Sequence, residues 1–285
     1  MSDAPPAAAV KAPAEIWKSF DGDKAFQHVE ALVNLGARPA GSVELEKARG
    51  HISAALKESG WKVEAQNFNN ETPRGTVTFT NLIARFGGST KTQRAIVCSH
   101  YDTKIFDTIR FVGASDGGSS TGALIELARV LALDPDLAKK VELVFFDGEE
   151  AVAQFTAEDG LYGSRFYARQ LRESGRVKQF EFGILWDMIG DKNLTITLSP
   201  DSPGELARGI LEAAIALHER PCFSYYSRDI YDDHVPLNAA HIPTIDLIDF
   251  DYPPWHTADD TLDKLSPQSL QKVGAVTLFY LHKHL

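Results

Sequence analysis

Five short stretches of the chain carry side chains able to bind a cation or move a proton. They are Ser99-His100-Tyr101-Asp102, Ala114-Ser115-Asp116-Gly117-Gly118, Asp147-Gly148-Glu149-Glu150, Asp187, and Trp255-His256-Thr257. They fall at the ends of mostly apolar runs that read as buried strands or in the loops that follow, and in an α/β sheet that edge is where sites are built. Carboxylates are not left there without a partner, because desolvating an isolated one is costly. A divalent cation resolves the difficulty. Histidine and carboxylate ligands without a thiolate suit Zn²⁺ in a catalytic site that keeps one position open. Glu149 and Glu150 divide the work, because neighbours leaving a strand point in opposite directions. One can ligate the ion while the other stands beside the open position as general acid or base.

The elements that must position these groups follow from periodicity and punctuation. Phe26, Val29, Leu32 and Val33 mark one face of a helix stopped by Gly36, and Ser42 caps a second that runs to Gly60. Strands are predicted over 61–68, 76–86, 95–98, 141–146, 182–186 and 242–248, and helices over 118–133, 161–172, 203–218 and 266–282. Nearly all-apolar strands alternating with helices indicate a sheet covered on both faces, and an antiparallel-looking pair at the N-terminal side makes it mixed. The expected fold class is α/β, a three-layer α/β/α sandwich with a central mixed β-sheet. No repeat or linker divides the chain after an Ala/Pro-rich start. Residues 15–285 are therefore expected to form a single zinc-dependent catalytic domain behind a flexible arm, residues 1–14.

Composition narrows the class. Among 285 residues, 44% are hydrophobic and 24% charged, with no apolar run long enough to span a membrane. A net charge of −10 argues against a nucleic-acid or anionic-membrane surface. Two cysteines, Cys98 and Cys222, provide no disulfide framework, and Cys98 reads as a small buried hydrophobe. The arm has neither the charged nor the apolar region of an export signal. It reads as what a trimmed signal leaves behind, so the compartment stays open, with the periplasm or the cell exterior favoured.

The order His-x-Asp, Asp, Glu-Glu, Asp, His resembles the zinc-dependent aminopeptidase clan, and within it most closely the glutaminyl-peptide cyclotransferases. The resemblance is carried by SHYDTK (99–104), FVGASDGGSSTGALIELAR (111–129), FFDGEEA (145–151), LYGSR (161–165), DMIGD (187–191), DDHVPL (232–237) and PPWHTADDTLDKL (253–265). It implies a zinc-exopeptidase-like fold and an enzyme that closes the N-terminal glutamine of a peptide into pyroglutamate with release of ammonia. By the same resemblance, one zinc is held by Asp116, Glu150 and His256, and Glu149 is the acid/base. Asp187 and Asp232 complete a proton relay, Trp255 positions the γ-amide, and Phe155 and Tyr252 wall the glutamine side chain. His100 and Asp102 are candidates either to support that site or to serve a second metal.

Three positions depart from the family. A tryptophan after the Glu-Glu pair is replaced by Phe155. A histidine that some animal members carry on the last strand falls at Asp246. The second cysteine of their disulfide falls near Thr121. Asp232 and Asp233 also have the simpler reading of capping a helix or turn before His234, and either could be the relay acid. Trp17 and Trp61 read as packing. His28, His51, His218, His241, His282 and His284 read as structural or solvated.

The rival function is a di-zinc aminopeptidase, for which His100, Asp116, Glu150, Asp187 and His256 supply ligands to two ions. A metal-binding domain without activity is opposed by the presence of Glu149. The expected partners are peptide or protein N-termini, with no nucleic acid and no membrane span, and the expected state is a monomer.

Overall fold

The runs Ala95–His100 (β3), Val141–Phe146 (β4), Phe182–Asp187 (β5) and Thr244–Ile248 (β8) are buried at every residue. Their almost unbroken apolar spelling requires cover on both faces. The computed structural model describes residues 12–285, so the expected arm lies outside the described residues apart from positions 12–14. The four strands form the centre of one eight-stranded sheet, joined by Trp61–Thr72 (β1), Gly75–Phe86 (β2), Ile196–Leu198 (β6) and Phe223–Tyr225 (β7). The strand order is β1-β2-β4-β3-β5-β8-β6-β7. The central four strands run parallel. β1 and β2 pair antiparallel with each other, β2 is antiparallel to β4, and β6 is antiparallel to β8. The sheet is mixed, as the sequence predicts.

Alternate residues of each central strand feed opposite layers, as a pleat of period two demands. Val97, Leu143, Ile184 and Ile245 point into a core shared with the helices Gly22–Leu35 (α1), Val43–Glu58 (α2), Ser120–Leu131 (α3), Gly204–Ala216 (α6) and Pro267–His284 (α8). Ile96, Cys98, Val144 and Leu185 face Tyr162–Glu173 (α5) and His234–Ala239 (α7) on the other side. The short helix Pro135–Ala138 (α4) leads into β4. Ser42 caps α2 as expected, its hydroxyl accepting from the Leu45 N–H at 3.1 Å.

Four short elements, α4, β6, β7 and α7, were not predicted. Three-residue strands and helices of four and six residues containing Pro135 and Pro236 are too short to display a period. The helix predicted from residue 118 instead begins at Ser120. Residues 114–119 form a wide, irregular turn in which Asp116 and Gly117 leave helical geometry. The carboxyl ends of β3, β4, β5 and β8 all lie on the edge to which this turn belongs.

Two contacts under that edge lead to tests. Gly122, in the first turn of α3, lies against α1 so closely that an added Cβ would sit 2.8 Å from the Ala25 carbonyl oxygen and 2.6 Å from a Val29 methyl. Gly122→Ala is expected to force the helices apart and cost about 1–3 kcal/mol, read as a lower urea midpoint; an unchanged midpoint would refute this close packing. Farther along, His28 of α1 and His51 of α2 meet with ring nitrogens 3.1 Å apart. Burial, then the neighbouring His51, pulls the His28 pKa down to about 4. Below its ordinary value of 6.5 the unfolded chain therefore takes a proton that the folded chain refuses, and stability falls as pH drops from 6.5 toward 4. The expected loss is about 1–2 kcal/mol after allowance for screening. His28→Gln should show a smaller fall between pH 7 and pH 5, and equal falls in the two proteins would contradict the assignment.

Candidate active site

Asp116 is placed by its backbone before its side chain acts. The Ser115 and Asp116 N–H groups donate to the Asp260 carboxylate at 2.8 and 3.2 Å, and the Tyr252 hydroxyl donates to the same carboxylate at 2.8 Å. The next residue, Gly117, has φ of 71°, and an added Cβ would approach the Asp102 carbonyl oxygen to 2.6 Å and the His100 ring to 2.9 Å. Only glycine fits there. The strand before this turn ends at His100, and the loop between them is tied down by Arg38. That guanidinium is completely buried and donates to the carbonyl oxygens of Val112 (2.8 Å), Gly113 (3.1 Å), Gly36 (3.2 Å), Leu32 (3.3 Å) and Tyr101 (3.4 Å). Burial pulls its pKa down to about 10, against Asp260, Asp102 and Asp116, so it stays charged at neutral pH.

The Glu149-Glu150 pair is held in the same way. Both backbone N–H groups donate to the Asp102 carboxylate at 3.2 Å, and Asp102 lies 3.4 Å from His100 Nδ1. Glu150 reaches His256 Nε2 with Oε1 at 3.1 Å and Lys104 Nζ with Oε2 at 3.2 Å. Beyond the pair, Asp159 accepts from the N–H groups of Val152, Ala153 and Gln154 at 2.8–2.9 Å, shaping the loop that carries Phe155.

The groups expected to meet do meet. His256 Nε2 lies 3.3 Å from Asp116 Oδ2, and His100 Nε2 lies 3.2 Å from both Asp116 Oδ1 and Asp187 Oδ1. Asp116, Glu150 and His256 each present a ligand atom within 4.8 Å of the others, and so do His100, Asp116 and Asp187. Asp116 Oδ2 is buried without a hydrogen bond. Burial opposes the charged His256 ring, yet Asp116 and Glu150 push its pKa up to about 9. Burial also opposes ionisation of Asp116, but the His100 and His256 rings beside it hold its pKa below the usual range. This donor set fits a divalent cation: two carboxylates and an imidazole converge, Lys104 is the neighbouring cation, and one carboxylate oxygen has no donor.

A cavity of about 570 Å³ opens over this cage, and Asp116, Glu149, Glu150, Asp187, Asp232 and His256 line its floor. Glu149 lines the same cavity beside Glu150 and Asp232. Burial, then Glu150 and Asp232, raises its pKa well above the ordinary carboxylate value. Burial, then Asp187, pushes Asp232 up to about 6. Asp232 lines the cavity, whereas its neighbour Asp233 does not. Trp255 and Phe155 line it too, the Trp255 ring stacked on His256 at 4.3 Å. Asp246 lies on β8 below the floor, 3.8 Å from His234 Nδ1.

One expectation fails. Tyr252 does not wall the cavity; it is buried with its hydroxyl committed to Asp260, and Phe250 stands at the wall instead. The physical cause lies just before it, where Asp249 accepts from the Asp251 N–H at 3.2 Å and turns the chain out of the strand pleat. The sequence reading also missed Arg38, Asp159, Asp260, Tyr226 and Tyr231. The flanking text of the Trp-His motif contained one usable signal, since Asp260 follows His256 by four residues.

A cage of histidine and carboxylates at the carboxyl edge of a mixed α/β/α sheet defines an enzyme of the metal-dependent exopeptidase type. Residues 81–281 match the model of Peptidase family M28, and the chain belongs to that family. The expected kinship with glutaminyl-peptide cyclotransferases is borne out. The glutaminyl-peptide cyclotransferase of Bos taurus is 31% identical over 278 residues, covering 82% of this chain and 76% of its own. The crystal structure of an Acidobacteriales bacterium glutaminyl cyclase superposes with a TM-score of 0.87 at 32% identity, over 99% of this chain and 98% of the other. A Zn-dependent exopeptidase from Parabacteroides distasonis gives 0.84 at 25% identity, over 93% and 99%.

Arg38→Met leaves five backbone carbonyls without their donor and is expected to cost about 3–5 kcal/mol. Because the Tyr101, Val112 and Gly113 carbonyls lie on the loop between His100 and Asp116, the variant should also lose a bound divalent cation faster to a chelator. Arg38→Lys, with fewer donors and no fork, should recover little. Full retention of the cation in a folded Arg38→Met protein would show that the loop is fixed by other means.

Proposed function

We propose that this chain is a glutaminyl-peptide cyclotransferase whose site binds the N-terminal glutamine of a peptide with the γ-amide at the Asp116–Glu150–His256 cage and the α-amine at Glu149. The observation that carries this reading is the company of Glu149, which shares the cavity floor with Asp187 and Asp232 beside that cage. Asp116, Glu150 and His256 would hold one zinc ion, which when bound supplies Lewis acidity toward the γ-carbonyl oxygen. The described residues form one sheet with its two helical layers, consistent with a single catalytic domain over residues 15–285.

The reaction is intramolecular, so the protein contributes orientation and charge placement more than a nucleophile. An α-amine titrates near about 7.7–8.0 in model peptides, so a neutral fraction is present at neutral pH. As its nitrogen bonds to the carbonyl carbon of the γ-amide, Glu149 accepts one of its protons. The same proton is returned to the departing nitrogen as the C–N bond of the γ-amide breaks, and ammonia leaves. A carboxyl whose pKa is raised by burial and by neighbouring acids is suited to holding that proton between the two steps. Asp187 and Asp232 keep it on the substrate side of the floor. Trp255, flat against His256, and Phe155 confine the glutamine side chain and exclude water.

The triad of His100, Asp116 and Asp187 favours one second reading, a di-zinc aminopeptidase. The two are separated by measuring ammonia release from a Gln-initiated dipeptide beside cleavage of a Leu-initiated chromogenic amide, with zinc counted per chain. Ammonia without Leu-amide cleavage, at about one zinc per chain, is expected. Leu-amide cleavage with two zinc ions would overturn the cyclase reading. Glu149→Gln should lower kcat for ammonia release by about 10²–10⁴-fold while keeping its zinc, and a loss smaller than tenfold would remove Glu149 from the acid/base role.

None of the described helices is long and apolar enough to cross a membrane. A pyroglutamyl end removes a charge from a peptide's N-terminus, which suits a role in an exported compartment. Fractionation that finds the native protein only in the cytosol would oppose that location. A monomer is the proposed solution state.

A further inference from the structure

Cys222 has a lysine against it and no thiol within reach. It closes the short turn Arg220–Cys222 that leads into β7, and it packs half-buried against the larger core layer. Cys98 is completely buried on the other face of the sheet, and both cysteines are free. The group that does reach Cys222 comes from α8. Lys272 Nζ lies 3.4 Å from Cys222 Sγ, although the two residues are 50 apart in the sequence. Glu219, just before the turn, brings its Oε2 to 3.9 Å from that sulfur and 3.8 Å from that nitrogen. The Lys272 and Glu219 side chains are 36% and 28% exposed, so a small solute can enter between them. A thiol, an amine and a carboxylate therefore converge at the surface, and none of the three lines the active-site cavity.

A cysteine oxidised to sulfenic acid is resolved by a second thiol or by a nitrogen. Here the second thiol is buried across the sheet and the nitrogen is in contact. We propose that Cys222 and Lys272 form a modification site at which hydrogen peroxide joins the cysteine sulfur to the lysine nitrogen. The Cys222 sulfur attacks one peroxide oxygen and the O–O bond breaks. The thiol is oxidised to the sulfenic acid, and the other oxygen leaves as water with the thiol proton. Glu219 then takes one proton from the Lys272 ammonium. The freed amine attacks the sulfur, the S–N bond forms as the S–O bond breaks, and the hydroxyl leaves as water with a second amine proton. The peroxide supplies the whole oxidation, so this second step needs no further oxidant. A dithiol reverses it, restoring thiol and amine as the reductant becomes a disulfide. The bond would tie α8 to the turn before β7, the three-residue strand that ends the sheet. Closing so long a loop stabilises the fold chiefly by restricting the unfolded chain.

The test treats the full chain with hydrogen peroxide, alkylates the remaining thiols, then unfolds and digests the protein at neutral pH for mass spectrometry. The expected product is the Cys222 peptide joined to the Lys272 peptide, lighter than the two together by two hydrogen atoms and separated again by dithiothreitol. The melting temperature of the treated protein should rise by about 5 °C and return after dithiothreitol. Lys272→Arg keeps the positive charge but removes the amine, so its sulfenic acid should persist and be trapped by dimedone several-fold more than in the wild type. Recovery of wild-type Cys222 after peroxide as a free thiol, a sulfinic acid or an intermolecular disulfide, with Lys272 unmodified, overturns the proposal. A joined pair that carries an added oxygen atom also overturns it, because sulfur and nitrogen would then not be directly bonded. Equal dimedone trapping in wild type and a folded Lys272→Arg protein counts against it in the same way, and the wild-type digest decides alone if that variant does not fold.

Discussion

The structure depends on concentrated negative charge at one sheet edge. Asp116, Glu149, Glu150, Asp187 and Asp232 are all at least nine-tenths buried there, and the cations that face them are two imidazoles and Lys104. In a low-dielectric setting an unpaired carboxylate is expensive, and like charges raise one another's pKa values. The site answers locally in two ways. On the cage side, His100 and His256 are drawn toward their charged forms by the carboxylates between them. On the other side, Glu149 and Asp232 are pushed toward their neutral forms. The same crowding therefore suits one half of the floor to a cation and the other half to holding a proton.

Such a cluster needs a rigid frame, and the frame repeats one device. Three aspartates outside the cage each catch consecutive backbone N–H groups of the segment that carries a site residue. Asp260 takes Ser115 and Asp116, Asp102 takes Glu149 and Glu150, and Asp159 takes Val152, Ala153 and Gln154. A carboxylate accepting two or three N–H bonds fixes a turn where helix or sheet cannot, because charge-assisted bonds are about twice as strong as neutral ones. Arg38 is the complement, a buried cation collecting carbonyl oxygens from the loops around Tyr101 and Gly113. Ligands placed by loops are thus held almost as firmly as ligands placed by strands.

The layers and the cage were legible in the sequence because both rest on patterns that survive in one dimension. Strands such as 141–146 are apolar runs of strand length, and the carboxylates and imidazoles stand at their ends or in the loops that follow. What failed to show were contacts made across the chain. Arg38 binds carbonyl groups, which every residue possesses, so no residue type announces its partners. The strand predicted to stop at Cys98 continues to His100 because it pairs with Phe146, a tertiary gain that a polar Ser-His spelling conceals. Tyr252 and Phe250 are two residues apart and would share a face in an extended chain. The turn at Asp249 separates them, sending one to Asp260 and the other to the cavity.

Backbone strain joins the cage to the aromatic wall. Neighbouring side chains in extended backbone point to opposite sides, yet the rings of Trp255 and His256 lie nearly parallel, 26° apart and 4.3 Å between centroids. His256 achieves this with φ of 55°, and Met188, directly after Asp187, has φ of 46°. Left-handed geometry at a residue other than glycine costs on the order of 1–3 kcal/mol and persists only where the surroundings over-determine it. At His256 the surroundings are Asp116 and Glu150 on the nitrogen side and the edges of Phe106 and Phe111 around the ring. The cage therefore holds the turn, and the turn presents Trp255 to the cavity as the first ring of a row that continues through Phe250 to Tyr226. Relaxing His256 to an extended conformation would swing Trp255 off the histidine, so the geometry of the cage and the geometry of the cavity wall are set by one residue's backbone.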